Sequence, residues 1–149
     1  MGYDMYALEE TGDRDRDYFR LSIWGMGKAR DVMWNLDMLA EPDPEHSPWP
    51  DHPEGEWVDE EDAEPGTPWA AYHEATNKVR VEHLNRDDPR LPIHKLCSND
   101  GWIVTEIECR ALVVMANDGR SQGRELPEWW KDWIDFIDHC STHGGFEVW

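Results

Sequence analysis

The chain has 149 residues, of which 39% are hydrophobic and 32% are charged, and this length and composition predict a single domain. Its 33 acidic and 14 basic side chains give a formal net charge of -19. That charge disfavours direct binding to nucleic acids and anionic membranes, because phosphate contacts need clustered Lys and Arg.

The first part of the chain predicts two paired strands and a helix. Apolar and polar residues alternate over 3–7 and again over 18–23, as they do in half-buried strands. The charged residues 13–17 are predicted to form an exposed loop between these strands. Apolar residues then recur every three or four positions, which predicts an amphipathic helix from about Gly27 to Leu39.

Residues 41–68 form an acidic insertion of different character. They contain eleven Asp or Glu, seven of the ten prolines and no Lys or Arg. Proline removes backbone donors and like charges resist compaction, so we predict an extended, irregular or disordered segment. Because indoles favour burial, we expect Trp49, Trp57 and Trp69 to attach this segment to the core at a few points.

Short elements are predicted after the insertion. They are a helix over 69–75 capped by Thr67, a strand at Val79 and Val81, a loop over 85–92, an extended segment over 93–96, a tight turn at 98–101 and a strand over 102–104. The Asp100-Gly101 pair carries the turn prediction, since it readily adopts positive φ angles.

The last part of the chain predicts two helices and a strand. Thr105 and Glu108 form a capping-box signature for a helix reaching about Met115. Its buried face is expected to contain Cys109, Leu112 and Val113, widened by Ile107, Val114 and Met115. The clearest helix covers 128–142, with an apolar stripe of Trp130, Trp133, Ile134, Ile137 and Cys140. The tail 146–149 alternates and predicts an edge strand.

This order of elements predicts an α+β fold, in which about three to four helices pack on a small antiparallel sheet. We expect one domain over 1–149, with 41–68 as its insertion. No stretch approaches about 18 consecutive apolar residues, and the first residues lack the basic and apolar regions of a secretory signal. We therefore expect no membrane attachment, a cytoplasmic location and reduced thiols at the three cysteines.

Four patches of the sequence resemble a group of small actinobacterial and actinophage proteins. The patches are GYDMY at 2–6, YFRLSIWGM at 18–26, HKLCSNDGW at 94–102 and HGGFEV at 143–148. The resemblance implies a bacterial or phage source, and the host cytoplasm as the location if the chain is phage-encoded. The group has no known activity, so the resemblance adds no catalytic residue.

The acidic block is the strongest candidate site for a partner. Its carboxylates are Glu54, Glu56, Asp59, Glu60, Glu61, Asp62 and Glu64. Carboxylates along an extended chain can imitate the phosphates of a nucleic acid and occupy the basic groove of a host protein. Trp129, beside Trp130, is a second candidate as an exposed interface anchor. The alternative interpretations are a solvated loop that improves solubility and a tryptophan-rich core.

A second hypothesis is a small enzyme or metal-binding protein centred on His94, Cys97 and Asp100. His94 and Cys97, like His139 and His143, have spacings that zinc ligands can use. However, the chain has no Cys-x2-Cys pair, and helical periodicity places Cys109 and Cys140 in the core. No phosphate-binding or catalytic motif has the spacing that its chemistry needs, so no cofactor and no metal are predicted.

Overall fold

A computed structural model describes residues 2–42, 47–82 and 87–149 of the chain. The strands of these residues are β1 (Gly2–Ala7), β2 (Tyr18–Ser22), β3 (Leu39–Ala40), β4 (Leu91–Pro92), β5 (Trp102–Val104) and β6 (Phe146–Val148). The helices are α1 (Arg14–Asp17), α2 (Ile23–Asn35), α3 (Pro68–Arg80), α4 (Glu106–Asn117) and α5 (Trp130–Cys140). The α+β class with a small antiparallel sheet is therefore confirmed.

The main sheet has the strand order β2-β1-β6-β5, and every neighbouring pair in it is antiparallel. The predicted pairing of the first two strands is confirmed, with Met5 opposite Phe19. The C-terminal tail was expected at an edge, and this prediction is wrong. Strand β6 lies between β1 and β5, and its two apolar side chains, Phe146 and Val148, are fully buried.

The helices pack their apolar sides against this sheet and against one another. Helix α5 has the predicted buried stripe, including the fully buried Trp133 and Ile137. Helix α4 begins at the predicted capping box, in which the Thr105 hydroxyl accepts from the Glu108 amide and the Glu108 carboxylate accepts from the Thr105 amide. Two residues expected on its buried face, Ile107 and Val114, are exposed instead.

Several boundaries differ from those predicted. Ile23 is the first residue of α2, not the end of a strand, because Ser22 caps a helix there by accepting from the Gly25 amide. Helix α2 ends at Asn35, and Leu39 instead belongs to β3, which pairs in parallel with β4. Residues 13–17 contain the short helix α1, and its Asp17 is buried.

Two predicted extended segments are helical. Val79 is a buried residue near the end of α3, and Val81 is the C-cap of that helix. Residues 93–96 form a 3-10 helix that buries Lys95 and Leu96. Part of the predicted loop 85–92 lies outside the described residues. In the described parts of the chain, no helix is long and apolar enough to cross a membrane.

Candidate functional site

The seven carboxylates predicted to contact a partner all lie at the surface. We call residues 54–64 the acidic segment, and each of its acidic side chains is exposed. Most of the segment is irregular, and one 3-10 turn, Glu60–Asp62, presents three of these side chains in succession. With no Lys or Arg in 41–68, no cation within the insertion offsets this charge.

An aromatic cluster attaches the acidic segment to helix α3. The cluster consists of His52, Trp57, Trp69, Tyr72 and His73. The ring centroid of Trp57 lies 5.1 Å from that of Trp69 and 5.4 Å from that of His73, both in edge-to-face geometry. Edge-to-face pairs are favourable because the positive edge of one ring meets the negative face of another.

Hydrogen bonds fix the backbone and the turn beside this cluster. The Nε2 atom of His73 donates to the carbonyl of Val58 over 2.8 Å, and His73 itself is buried. The Asn77 amide donates to Oε1 of Glu60 over 2.7 Å. Both donors come from one face of α3, so the helix determines where the carboxylates of the turn are held.

A second attachment precedes the acidic segment. The indole of Trp49 packs on that of Trp102 with centroids 5.0 Å apart. The Arg80 guanidinium lies 5.7 Å from the ring of Trp49 and 5.1 Å from that of Trp149, a cation-π arrangement. Ser47 donates through both its amide and its hydroxyl to the Glu82 carboxylate. Of the three tryptophans singled out in the sequence, Trp49 thus contacts the sheet and Trp57 contacts α3, while Trp69 belongs to α3 itself.

Trp129, the predicted exposed anchor beside α5, is not fully exposed. Trp129 is half-buried and packs against the core, and Trp130 and Trp133 are buried. Among the large apolar side chains that are exposed, Trp24 near the start of α2 has the highest exposed fraction, 87%. The sequence pattern did not predict that Trp24 is exposed, because Trp24 directly follows an alternating strand pattern that continues to Ile23.

His94, Cys97 and Asp100 lie in the stretch before β5: His94 is in the 3-10 helix, Cys97 is the C-cap of that helix, and Asp100 is in the bend that follows. The His94 ring packs edge-on against Trp102, with centroids 4.7 Å apart. The exposed Cys97 donates its thiol hydrogen to the Ile93 carbonyl over 3.2 Å, and the Asp100 carbonyl accepts from Arg80. The chain bends at Asn99 and Asp100, and Gly101 has the predicted positive φ, +79°, whereas Asp100 does not. The Gly101 amide donates to the Val148 carbonyl of β6 and not back across a tight turn. Across the described ranges, no three His, Cys, Asp or Glu side chains form a group that could hold a metal ion.

The other candidate ligands have structural contacts in α4 and α5. Cys109 and Cys140 are buried, and burial raises the pKa of both thiols, to about 12 for Cys140. His143 donates through Nδ1 to the His139 carbonyl over 2.6 Å, and the two imidazoles stack with centroids 4.2 Å apart. The Nε2 atom of His139 donates to Oδ1 of buried Asp17 over 2.8 Å.

Asp17 connects α1 to α5 through its hydrogen bond with His139. Its contribution to the free energy of unfolding depends on pH. Burial raises the pKa of its carboxyl, but hydrogen bonds from His139, Thr11 and Gly12 outweigh burial and hold the pKa below the ordinary 3.8. A lowered native pKa stabilises the fold above the unfolded-state pKa, and this stabilisation is lost as the pH falls through the native value.

We therefore expect Asp17→Asn to lower the free energy of unfolding at neutral pH and to change it much less in acid below the native pKa of Asp17. Urea unfolding at several pH values measures both. Asp15→Asn, at an exposed position of the same helix, is the control and should have little effect at any pH. An equal loss for Asp17→Asn at every pH would contradict this explanation.

The chain matches no protein-family model, no curated protein and no solved structure in comparisons with known proteins. The candidate site is therefore argued from its own geometry. Two of its features were not predicted from the sequence: the aromatic cluster as a unit, and the α3 side chains His73 and Asn77 that hold the turn.

Proposed function

We propose that this chain is a non-enzymatic binding protein that engages a basic host protein through its acidic segment, which imitates the phosphates of a nucleic acid. The observation that carries the proposal is the attachment of the acidic segment, which bears seven exposed carboxylates, to α3. The attachment consists of the aromatic cluster, the bond from His73 to the Val58 carbonyl and the bond from Asn77 to Glu60. A flexible solubilising loop needs no such attachment.

Preorganisation is the physical reason why this attachment favours binding. Charges held in place before the encounter lose less conformational entropy when a partner binds. The net charge of -19 attracts a positively charged protein over a distance and speeds association at low salt. The partner with the best complementarity is a protein whose own ligand is DNA or RNA, because its surface already carries clustered Lys and Arg.

The resemblance to small actinobacterial and actinophage proteins supports a bacterial host as the source of this partner. A phage-encoded chain would meet such nucleic-acid-binding proteins in the host cytoplasm. The overall negative charge disfavours nucleic acids and anionic membranes as direct ligands.

Affinity capture from a bacterial lysate tests the proposal with two isosteric variants. In the first, every Asp and Glu of the acidic segment becomes Asn or Gln, which retains acceptors for Trp57 and Asn77. The control variant neutralises the same number of exposed carboxylates elsewhere, at Glu10, Asp31, Glu41, Glu125, Glu128, Asp132 and Asp138. Both variants therefore have the same net charge.

We expect the original chain and the control variant to capture a DNA- or RNA-binding protein that high salt releases, and the first variant to lose it. The purified partner should also release duplex DNA or RNA when the original chain is added. Equal capture by all three proteins, or equal loss from both variants, would contradict a role for this particular segment.

A further inference from the structure

A groove runs along helix α3 beside the acidic segment. Its floor is one face of the helix, from Ala70 to Val81, and the 3-10 turn with Glu60 and Ala63 forms its wall. It is a shallow depression, open to solvent, with a volume of about 420 Å³. We call it the α3 groove.

The exposed surface of the α3 groove is mostly apolar, although His73 and Asn77 also line it, and the acidic segment borders one side. Ala63 and Ala70 leave space because their side chains are small, and Val81 is 44% exposed. Glu60 and Glu74 lie at the rim. Lys78 of the lining forms an ion pair with Glu74 at 3.0 Å, so the charges of these two side chains offset each other. The negative charge beside the groove therefore comes from Glu60 and the rest of the acidic segment.

We propose that the α3 groove binds an extended basic segment of the partner, with one apolar side chain seated on Ala63 and Ala70 and flanking Lys or Arg facing the carboxylates. This inference rests on the proposed function and deepens it, since it names the part of the partner that is recognised. Charge complementarity selects this occupant. A second copy of the chain, with its own charge of -19, would be repelled.

The dimensions of the groove suit such a segment. From Ala70 to Val81 the helix rises by about 16 Å, at roughly 1.5 Å per residue. An extended peptide covers that length with about five residues at roughly 3.3 Å each. Side chains of an extended peptide alternate in direction, so an apolar residue can point to the floor while its neighbours point toward Glu60 and the rest of the acidic segment.

Two synthetic arginine-rich peptides that differ only at a central residue, leucine or glycine, test the inference by fluorescence anisotropy on the full chain. We expect the leucine peptide to bind about tenfold or more tightly, since burial of a leucine side chain contributes that factor. Ala70→Phe fills the floor without changing charge and should abolish this preference. Ala71→Phe, at the exposed neighbouring position outside the lining, is the control and should retain it.

Equal affinity for the two peptides, or a leucine preference that survives in Ala70→Phe, would overturn the groove as a binding site.

The two proposals can be tested separately. If the groove is wrong and the proposed function is right, lysate capture still depends on the acidic segment while the central residue has no effect. If the leucine preference depends on Ala70 but capture does not depend on the acidic segment, the groove binds peptides and nucleic-acid mimicry is wrong. Thermal unfolding of both alanine variants excludes loss of the fold as the cause.

Discussion

Lys95→Met is expected to lower the free energy of unfolding by about 3 to 5 kcal/mol, the usual loss when one member of a buried ion pair is removed. The side chains of Lys95 and Glu108 are 0% and 1% exposed, and Nζ lies 2.7 Å from Oε1. Nζ also donates to the Ile103 carbonyl over 2.8 Å. The variant would leave a carboxylate buried without this cation, a state that low dielectric surroundings make costly. Chemical unfolding at neutral pH measures the loss.

The double variant Lys95→Met with Glu108→Gln separates charge from packing. Glutamine is neutral and can still accept a hydrogen bond from the Thr105 amide at the start of α4, as Glu108 does. We therefore expect the double variant to be more stable than Lys95→Met alone. If it were equally unstable or worse, the loss would come from packing around the methionine and not from removal of the lysine charge beside Glu108.

Gly145→Ala is expected to lower the free energy of unfolding by about 3 kcal/mol or more, from a left-handed conformation and a steric overlap together. Gly145 has φ +81°, and a Cβ atom there would overlap the Val104 carbonyl oxygen and lie 3.0 Å from the Thr105 carbonyl carbon. These atoms belong to the backbone between β5 and α4, so they cannot move aside as a flexible side chain can.

Gly119→Ala is the matched control for this prediction. Gly119 has φ +91°, but a Cβ atom there would meet no other atom within 4 Å. Gly119→Ala should therefore lower the free energy of unfolding only by the cost of the left-handed conformation, about 1 to 2 kcal/mol. Thermal or urea unfolding of both variants gives the difference, and equal losses would show that the overlap with Val104 is relieved at little cost.

The parts of the fold that were predicted correctly are those whose local pattern agrees with their burial. The alternation in β1 and β2, the capping box at Thr105 and the stripe of α5 each carry their own signal within a few residues. Helix α3 was cut short at Ala75 because a polar run follows. Tertiary contacts bury Thr76 completely and Val79 almost completely, which extends the helix beyond its apolar pattern.

The candidate site was predicted in part. The run of carboxylates is visible in the sequence, since it depends on composition alone. The aromatic cluster is not, because Trp57 and Trp69 meet only after the chain has reversed direction around residues 59–67. The position of β6 was missed for a similar reason: a short alternating tail carries no information about which strands it will lie between.

The central place of β6 makes folding of this protein depend on the two ends of the chain meeting. Strand β1 pairs with β6 across nearly the whole length of the sequence, and the backbones of Asp4 and Trp149 exchange two hydrogen bonds. Contacts so distant in sequence form slowly, because a long loop must close before they are gained. During synthesis, the β1-β2 hairpin emerges long before β6, so the sheet can be completed only after β6 has left the ribosome.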